Sequence, residues 1–458
     1  MKKAFCMILV LLTISLTAFA TEVPETATDT SLTGVMTEGL EQPPITAQSA
    51  IVAELNSGVT LYDKSSREAR PMASLTKIMT VLLCLESGID LQTEVTASES
   101  ALNFDNSEGS NADIKVGEIM TFENLLYCIM VKSANEACNV AAEEVSGSVS
   151  AFVARMNEKA RELGCLNTNF TNTHGLHEEG HYSSAYDMFL ITKEALKYPF
   201  FMQLANTTSK AIPPTNMTNK ERSLLTTNYL ISKTSQDGYT YHLAQGIKTG
   251  HHSKAGYCLV SAAESDGLYI VTVVMGATKT DDGVMHSFTD TKALMEWSFK
   301  TYEFRQILKT TELITAVRVG MGEDHDTVNA VPKTSVTALI PKALDTKNIT
   351  RNVTITDEGE IIAPITKGQQ LGELTLAYRS YKFAIVPLIS DTSVKRSEQE
   401  HLVQEAKDFM SQPIVWYVIF GVAALIALYV IIMIIIGISR RKNRQRGNYR
   451  GQKKRRKR

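Results

Sequence analysis

The chain has 458 residues, enough for more than one domain, and its 44% hydrophobic content suits a folded protein. A formal net charge of −2 conceals an asymmetry, because the last 20 residues hold 12 Lys or Arg and no acid. Setting those and Lys2 and Lys3 aside leaves 33 basic residues against 49 acids, so the body carries about −16 and is a poor partner for nucleic acid.

Residues 1–20 read as a secretory signal peptide. Lys2 and Lys3 form the charged start, an apolar stretch follows, and Ala18-Phe19-Ala20 is a small-x-small cleavage site. Cys6 would leave with it, and the remaining Cys84, Cys128, Cys138, Cys165 and Cys258 are an odd number, a poor disulfide framework. There is no Cys-x-x-Cys, and the nine histidines are not read as a metal site. Neither a metal, a cofactor nor a catalytic thiol is expected. Residues 21–46, rich in Thr, Glu and Pro and lacking periodicity, read as a flexible leader.

Order begins with a strand over 50–55, a turn at Asn56-Ser57-Gly58 and a partner strand over 59–62. Pro71-Met72-Ala73-Ser74 then opens a helix. Leu75, Ile78, Met79, Val81, Leu82 and Leu83 make that helix apolar nearly all round, so it should run through a core. Its one charge, Lys77, falls one turn after Ser74 on the same face. Burial lowers a lysine's pKa, and a neutral amine beside a serine hydroxyl can take its proton. The spacing alone is weak evidence, since Ser439 and Lys442 repeat it in the basic tail.

Helices are expected over 122–130, capped by Thr121, then over 134–145 and 152–163. Ser133-Ala134-Asn135 lies between the first two, where it could equally be a cap. Ser184-x-x-Asp187 is a capping-box pattern opening a helix over 188–196. Lys248-Thr249-Gly250 precedes strand-like runs over 257–263 and 268–276 and should itself lie on an antiparallel strand. A glycine there often marks the close approach of a ligand or another backbone. The bland alternative is a polar strand end with a solvated lysine.

Ser-x-x-Lys, Ser-x-Asn and Lys-Thr-Gly in that order are the set found in β-lactamases and penicillin-binding proteins. With Gly175-Leu176, the run from His181 to Met188, and Gly246-Ile247 and His251 around the third motif, the chain resembles the low-molecular-mass penicillin-binding proteins. These are serine-type D-alanyl-D-alanine carboxypeptidases, peptidase family S11, and the resemblance runs from about residue 47 to 395.

The resemblance implies an α/β fold of the β-lactamase/transpeptidase type, an antiparallel sheet flanked by helices plus a helical subdomain. It implies Ser74 as nucleophile, Lys77 as general base, Ser133 as proton relay, and Asn135 binding the substrate amide and holding Lys77. Lys248, Thr249 and Gly250 would bind the terminal carboxylate, and backbone N–H groups of Ser74 and His251 would form the oxyanion hole. The substrate would be a peptidoglycan stem peptide, with β-lactams as inhibitors. Class A β-lactamases carry Ser-Asp-Asn and a deacylating glutamate. Ala134 in the middle position, and the lack of a convincing loop glutamate, argue against efficient β-lactam hydrolysis. A D,D-endopeptidase or transpeptidase, or a β-lactam-sensing receptor with little turnover, are the alternatives.

The catalytic domain is expected over 47–310, closing with a helix opened by Ser287-x-x-Asp290 and running to about Leu308. Short alternating runs between turns make 311–396 a small all-β domain. A polar helical stalk over 397–412 follows. Residues 414–438 carry no charge and are long enough to cross a bilayer, giving one transmembrane helix over 413–438. The basic tail, 439–458, then marks the cytoplasmic side, so the ectodomain is exported.

Overall fold

A computed structural model of the chain describes residues 40–455 apart from 108, 233–237 and 357–359, with side chains to residue 443, residue 360 excepted. The signal peptide and most of the leader expected from the sequence lie outside the described residues. The described chain forms two units: residues to Arg305 with Leu339–Asp345 and Arg379–Tyr381, and Gln306–Ala338 with Thr346–Tyr378 and Lys382 onward.

In the first unit a five-stranded antiparallel sheet is built from β1 (Ser49–Glu54), β2 (Thr60–Lys64), β3 (Ala244–His252), β4 (Gly256–Ser265) and β5 (Leu268–Ala277). Its order is β2-β1-β5-β4-β3, so the first and last parts of the unit share one sheet and Lys248-Thr249-Gly250 lies on an edge strand. The middle strand β5 is apolar and buried along nearly its whole length, as a strand covered on both faces must be.

Seven helices matter here. They are α1 (Lys77–Glu86), α2 (Phe122–Met130), α3 (Asn135–Ser146), α4 (Val149–Glu162), α5 (Ala185–Ala195), α6 (His286–Thr301) and, in the second unit, α7 (Glu398–Ser411). In α1, Lys77 through Cys84 are all buried, so the helix has no solvent face until its last turn. It packs against α2, α3 and α5. Thr121 caps α2 by accepting from Asn124 N, and Ser184 caps α5 by accepting from Asp187 N, the two caps the sequence signals.

Three expectations fail around the last helix of this unit. Ser287-x-x-Asp290 is not a capping box. The N-cap of α6 is Met285, which makes no side-chain cap bond, and the carboxylate of Asp290 instead accepts from Thr46 N (2.9 Å), Thr46 Oγ1 (3.0 Å) and Ala47 N (2.9 Å). The indole of Trp297 donates to Glu41 O at 2.9 Å, so the last residues of the expected flexible leader are held on α6. The helix also stops at Thr301, and Tyr302–Leu308 is a strand. A short apolar run fits either period, and tertiary packing decides.

The second unit holds a six-stranded sheet of largely antiparallel strands, with one parallel pair between Thr315–Gly320 and Glu360–Ile362. Helix α7 follows, capped by Ser397. Helix α8 (Pro413–Arg455) contains a span, Pro413–Asn443, with mean hydropathy 3.1, almost wholly exposed and long and apolar enough to cross a membrane. All five described cysteines are buried and free.

Candidate active site

Ser74 sits in a 3-10 turn, Ala73–Thr76, that runs directly into α1, so the α-helix begins at Lys77, about one turn later than the sequence suggests. The turn is strained and braced. Ala73 has a left-handed φ of 49°, unusual for a residue with a side chain. Thr76 Oγ1 donates to Ala73 O at 2.8 Å and lies 2.8 Å from Nε2 of His181. Thr171 N donates to Nδ1 of His181 at 3.1 Å, so Nε2 carries the hydrogen and donates to Thr76. Burial and neighbouring positive groups push His181 down to about 3, keeping it neutral. From the other side Gly175, with φ of 91°, comes so close that an added Cβ would lie 2.0 Å from Ala73 O.

Lys77 is fully buried, and its Nζ has three oxygen neighbours: Ser74 Oγ at 2.9 Å, Asn135 Oδ1 at 2.7 Å and His174 O at 2.5 Å. The amide of Asn135 is oriented by donating from Nδ2 to Asn106 Oδ1 at 2.7 Å. Two of the three partners are therefore acceptors only. A neutral amine spends its two hydrogens on them and turns its lone pair to the Ser74 hydroxyl. Burial pushes Lys77 down to about 8, against the opposing pull of Glu136.

Helices α2 and α3 are joined by a tight connection that carries Ser133 in a left-handed conformation, φ 64°. Ala134 N donates to Cys128 O at 3.0 Å and Asn135 N to Ser110 O at 2.9 Å, which ties this connection to the loop before α2. Ala134 is the N-cap of α3 but has no side chain to cap with, so Ser-x-Asn here is not the local cap it could have been.

Lys248 on β3 is 1% exposed, not the solvated strand end of the bland reading, and its Nζ donates to Thr249 O at 3.0 Å. Burial, then the charge on Lys77, hold it well below the ordinary lysine range. The cleft thus resists carrying both charges, and an anion bound beside them would favour them. Thr249 Oγ1 is 2.5 Å from Thr227 Oγ1. Gly250 lets the strand approach the serine turn. A Cβ there would sit 3.0 Å from Met72 O, 3.1 Å from Ser74 N and 3.2 Å from Ala73 Cβ. His251 stacks on Tyr257 with ring centres 4.1 Å apart.

Ser74, Ser133, Thr249, Gly250 and His251 share one cleft of about 280 Å³. Lys77 and Asn135 join it through the hydrogen bonds above, and Lys248 lies buried on the same strand as Thr249. The sequence reading missed Ser110, Thr227 and Tyr229, which also line it. Thr227 and Tyr229 arrive on an irregular segment with no periodicity. The one trace is Asn228 between them, buried and donating to Gly246 O at 2.6 Å, which anchors that segment to β3.

The arrangement can activate a hydroxyl for attack on a carbonyl and hold a negatively charged group beside it. Comparison with known proteins agrees. The family model described as D-alanyl-D-alanine carboxypeptidase matches residues 36–279, and that of the penicillin-binding protein 5 C-terminal domain matches 302–396. The chain is 34% identical to the D-alanyl-D-alanine carboxypeptidase DacF of Bacillus subtilis, over 77% of this chain and 86% of that protein. Among solved structures it is similar to penicillin-binding protein 5 of Haemophilus influenzae, with 29% identity, a TM-score of 0.58, and 78% of this chain and 100% of that one covered. It is also similar to the Streptomyces K15 DD-transpeptidase, with 28% identity, a TM-score of 0.52, and 57% and 99% covered. A match over more than half its length, with relatives of this identity and coverage, makes this chain a member of the D-alanyl-D-alanine carboxypeptidase family of low-molecular-mass penicillin-binding proteins.

Proposed function

We propose that this penicillin-binding D-alanyl-D-alanine carboxypeptidase removes the terminal D-alanine of peptidoglycan stem pentapeptides through an acyl-enzyme on Ser74. The observation that carries this reading is the Lys77 amine, 2.9 Å from Ser74 Oγ with its other two partners restricted to accepting. Lys77 takes the hydroxyl proton as Oγ attacks the carbonyl between the two D-alanines. The carbonyl oxygen becomes an oxyanion facing the backbone N–H groups of Ser74 and His251, where losing one donor costs ~10²–10³ in rate. Ser133 passes a proton to the departing amine. Asn135 binds the substrate amide and holds Lys77. Lys248 and Thr249 take the terminal carboxylate, which restores the charge that burial suppresses on Lys248. Water then frees the enzyme, and a β-lactam acylates the same oxygen.

The catalytic unit acts on the extracytoplasmic face. The span within α8 crosses the membrane once, and the basic residues after it stay in the cytoplasm.

Incubation with a diacyl-D-alanyl-D-alanine peptide tests the reaction. Free D-alanine without a cross-linked product is expected. A cross-linked product would point to transpeptidation, as the name of the K15 neighbour suggests. Acylation without turnover would point to a β-lactam receptor. Ser74→Ala should abolish covalent β-lactam labelling with an unchanged unfolding transition, and labelling that persists at another residue would overturn the assignment.

A further inference from the structure

A second cleft, about 380 Å³, adjoins the first at the hairpin end of β3 and β4. His251 and Tyr257 line both, so the two are continuous across that stacked pair. The second cleft is cationic. Arg70, Lys254 and Lys279 line it, and among the described residues no acidic side chain does. Arg70 is partly committed, since its terminal nitrogens reach Gln48 and Glu68, but its Nε is buried without a hydrogen-bond partner. Lys254 and Lys279 form no ion pair among the described residues. Lys254 is fixed in the turn between β3 and β4, where its own N–H and that of Ala255 donate to Nδ1 of His252. Lys279 follows β5 and bridges to Met285, a residue of the catalytic cleft, and lies near enough to His251 to help lower that imidazole's pKa.

The direction of β3 says what passes here. A substrate with its terminal carboxylate at Lys248 and Thr249 and its scissile carbonyl at Ser74 continues along the strand past His251 toward residues 252–256. Extended chain advances ~3.3 Å per residue, so its acyl part reaches the hairpin turn within two or three residues. Resting on the reading of the site given above, we propose that this cleft is a subsite for a carboxylate carried by the acyl part of the stem peptide, held chiefly by Lys254 and Lys279. The enzyme thereby reads whether an upstream residue of the stem is a free acid or a neutral amide.

The test uses full-length protein in detergent and two diacyl-D-alanyl-D-alanine peptides that differ only in one upstream side chain, free acid or carboxamide. Exposed charge pairs are individually weak, so the wild-type kcat/KM ratio of acid to amide should be about fivefold to tenfold. It should shrink as salt is raised. In the double variant Lys254→Gln, Lys279→Gln the ratio should fall toward unity. A ratio of unity in the wild type, or one unchanged in the variant, would overturn the inference while leaving the catalytic reading intact. Failure to release D-alanine from either peptide, with no β-lactam labelling of Ser74, would remove both.

Discussion

Lys77 has three oxygens around its nitrogen and, once neutral, only two hydrogens to give them. In the proposed reaction its protonation is the switch, and burial pushes its pKa down to about 8. Acylation by a β-lactam of fixed charge should rise about tenfold per pH unit below that value and level off above it, as followed by stopped-flow labelling. A flat profile between pH 6 and 9 would mean that another group is the base. The same burial also carries a stability cost, which rising pH relieves. A lysine lowered in the folded state binds fewer protons than in the unfolded chain between about 8 and its ordinary value, so its contribution to stability rises with pH across that window. This lysine was legible in the sequence because a lone cation in an apolar helix needs a reason. Its third partner was not, because His174 contributes only a main-chain carbonyl, and any residue supplies one.

At the level of elements, the site depends on how closely an edge strand and a 3-10 turn meet. Gly250 sets that distance, since a Cβ would press on Met72 O and Ser74 N by a few tenths of an ångström. Gly250→Ala should cost little stability, within ~1–2 kcal/mol. It should slow β-lactam acylation by about tenfold or more, because reacting groups must hold near-attack geometry. Denaturant unfolding and labelling rates separate the two effects, and a variant acylated at the wild-type rate would deny the glycine this role. Elements bounded by local bonds were readable in advance, as Thr121 and Ser184 show with their caps on α2 and α5. The identical spacing at Ser287 and Asp290 misled because that carboxylate serves Thr46 and Ala47, more than two hundred residues earlier. No window on the sequence contains both ends of such a bond. Thr227 escaped for the same reason, reaching Thr249 from a segment without a period of its own.

For the whole molecule, catalysis and attachment belong to separate stretches of chain. A chain stopped after residue 396 lacks α7 and α8 and should leave the membrane fraction for the soluble one while retaining the full-length rate of β-lactam acylation. Continued sedimentation with membranes would show that some other segment binds lipid. The order of signatures along the chain was legible because each is a short run of specialised side chains. Their meeting in one cleft was not, since it requires β3 to return beside the turn that carries Ser74 after well over a hundred residues.

The three hydrogen bonds that Thr46 and Ala47 donate to the Asp290 carboxylate set a limit on wear at the front of the polypeptide. An aminopeptidase that halts before Thr46 leaves that clasp closed. One that nibbles two residues further strands an anion inside the protein without its donors, a loss of the order that buried unpaired charges impose. The lifetime of the folded unit under such trimming is then bounded by two residues far from the cleft that holds Ser74.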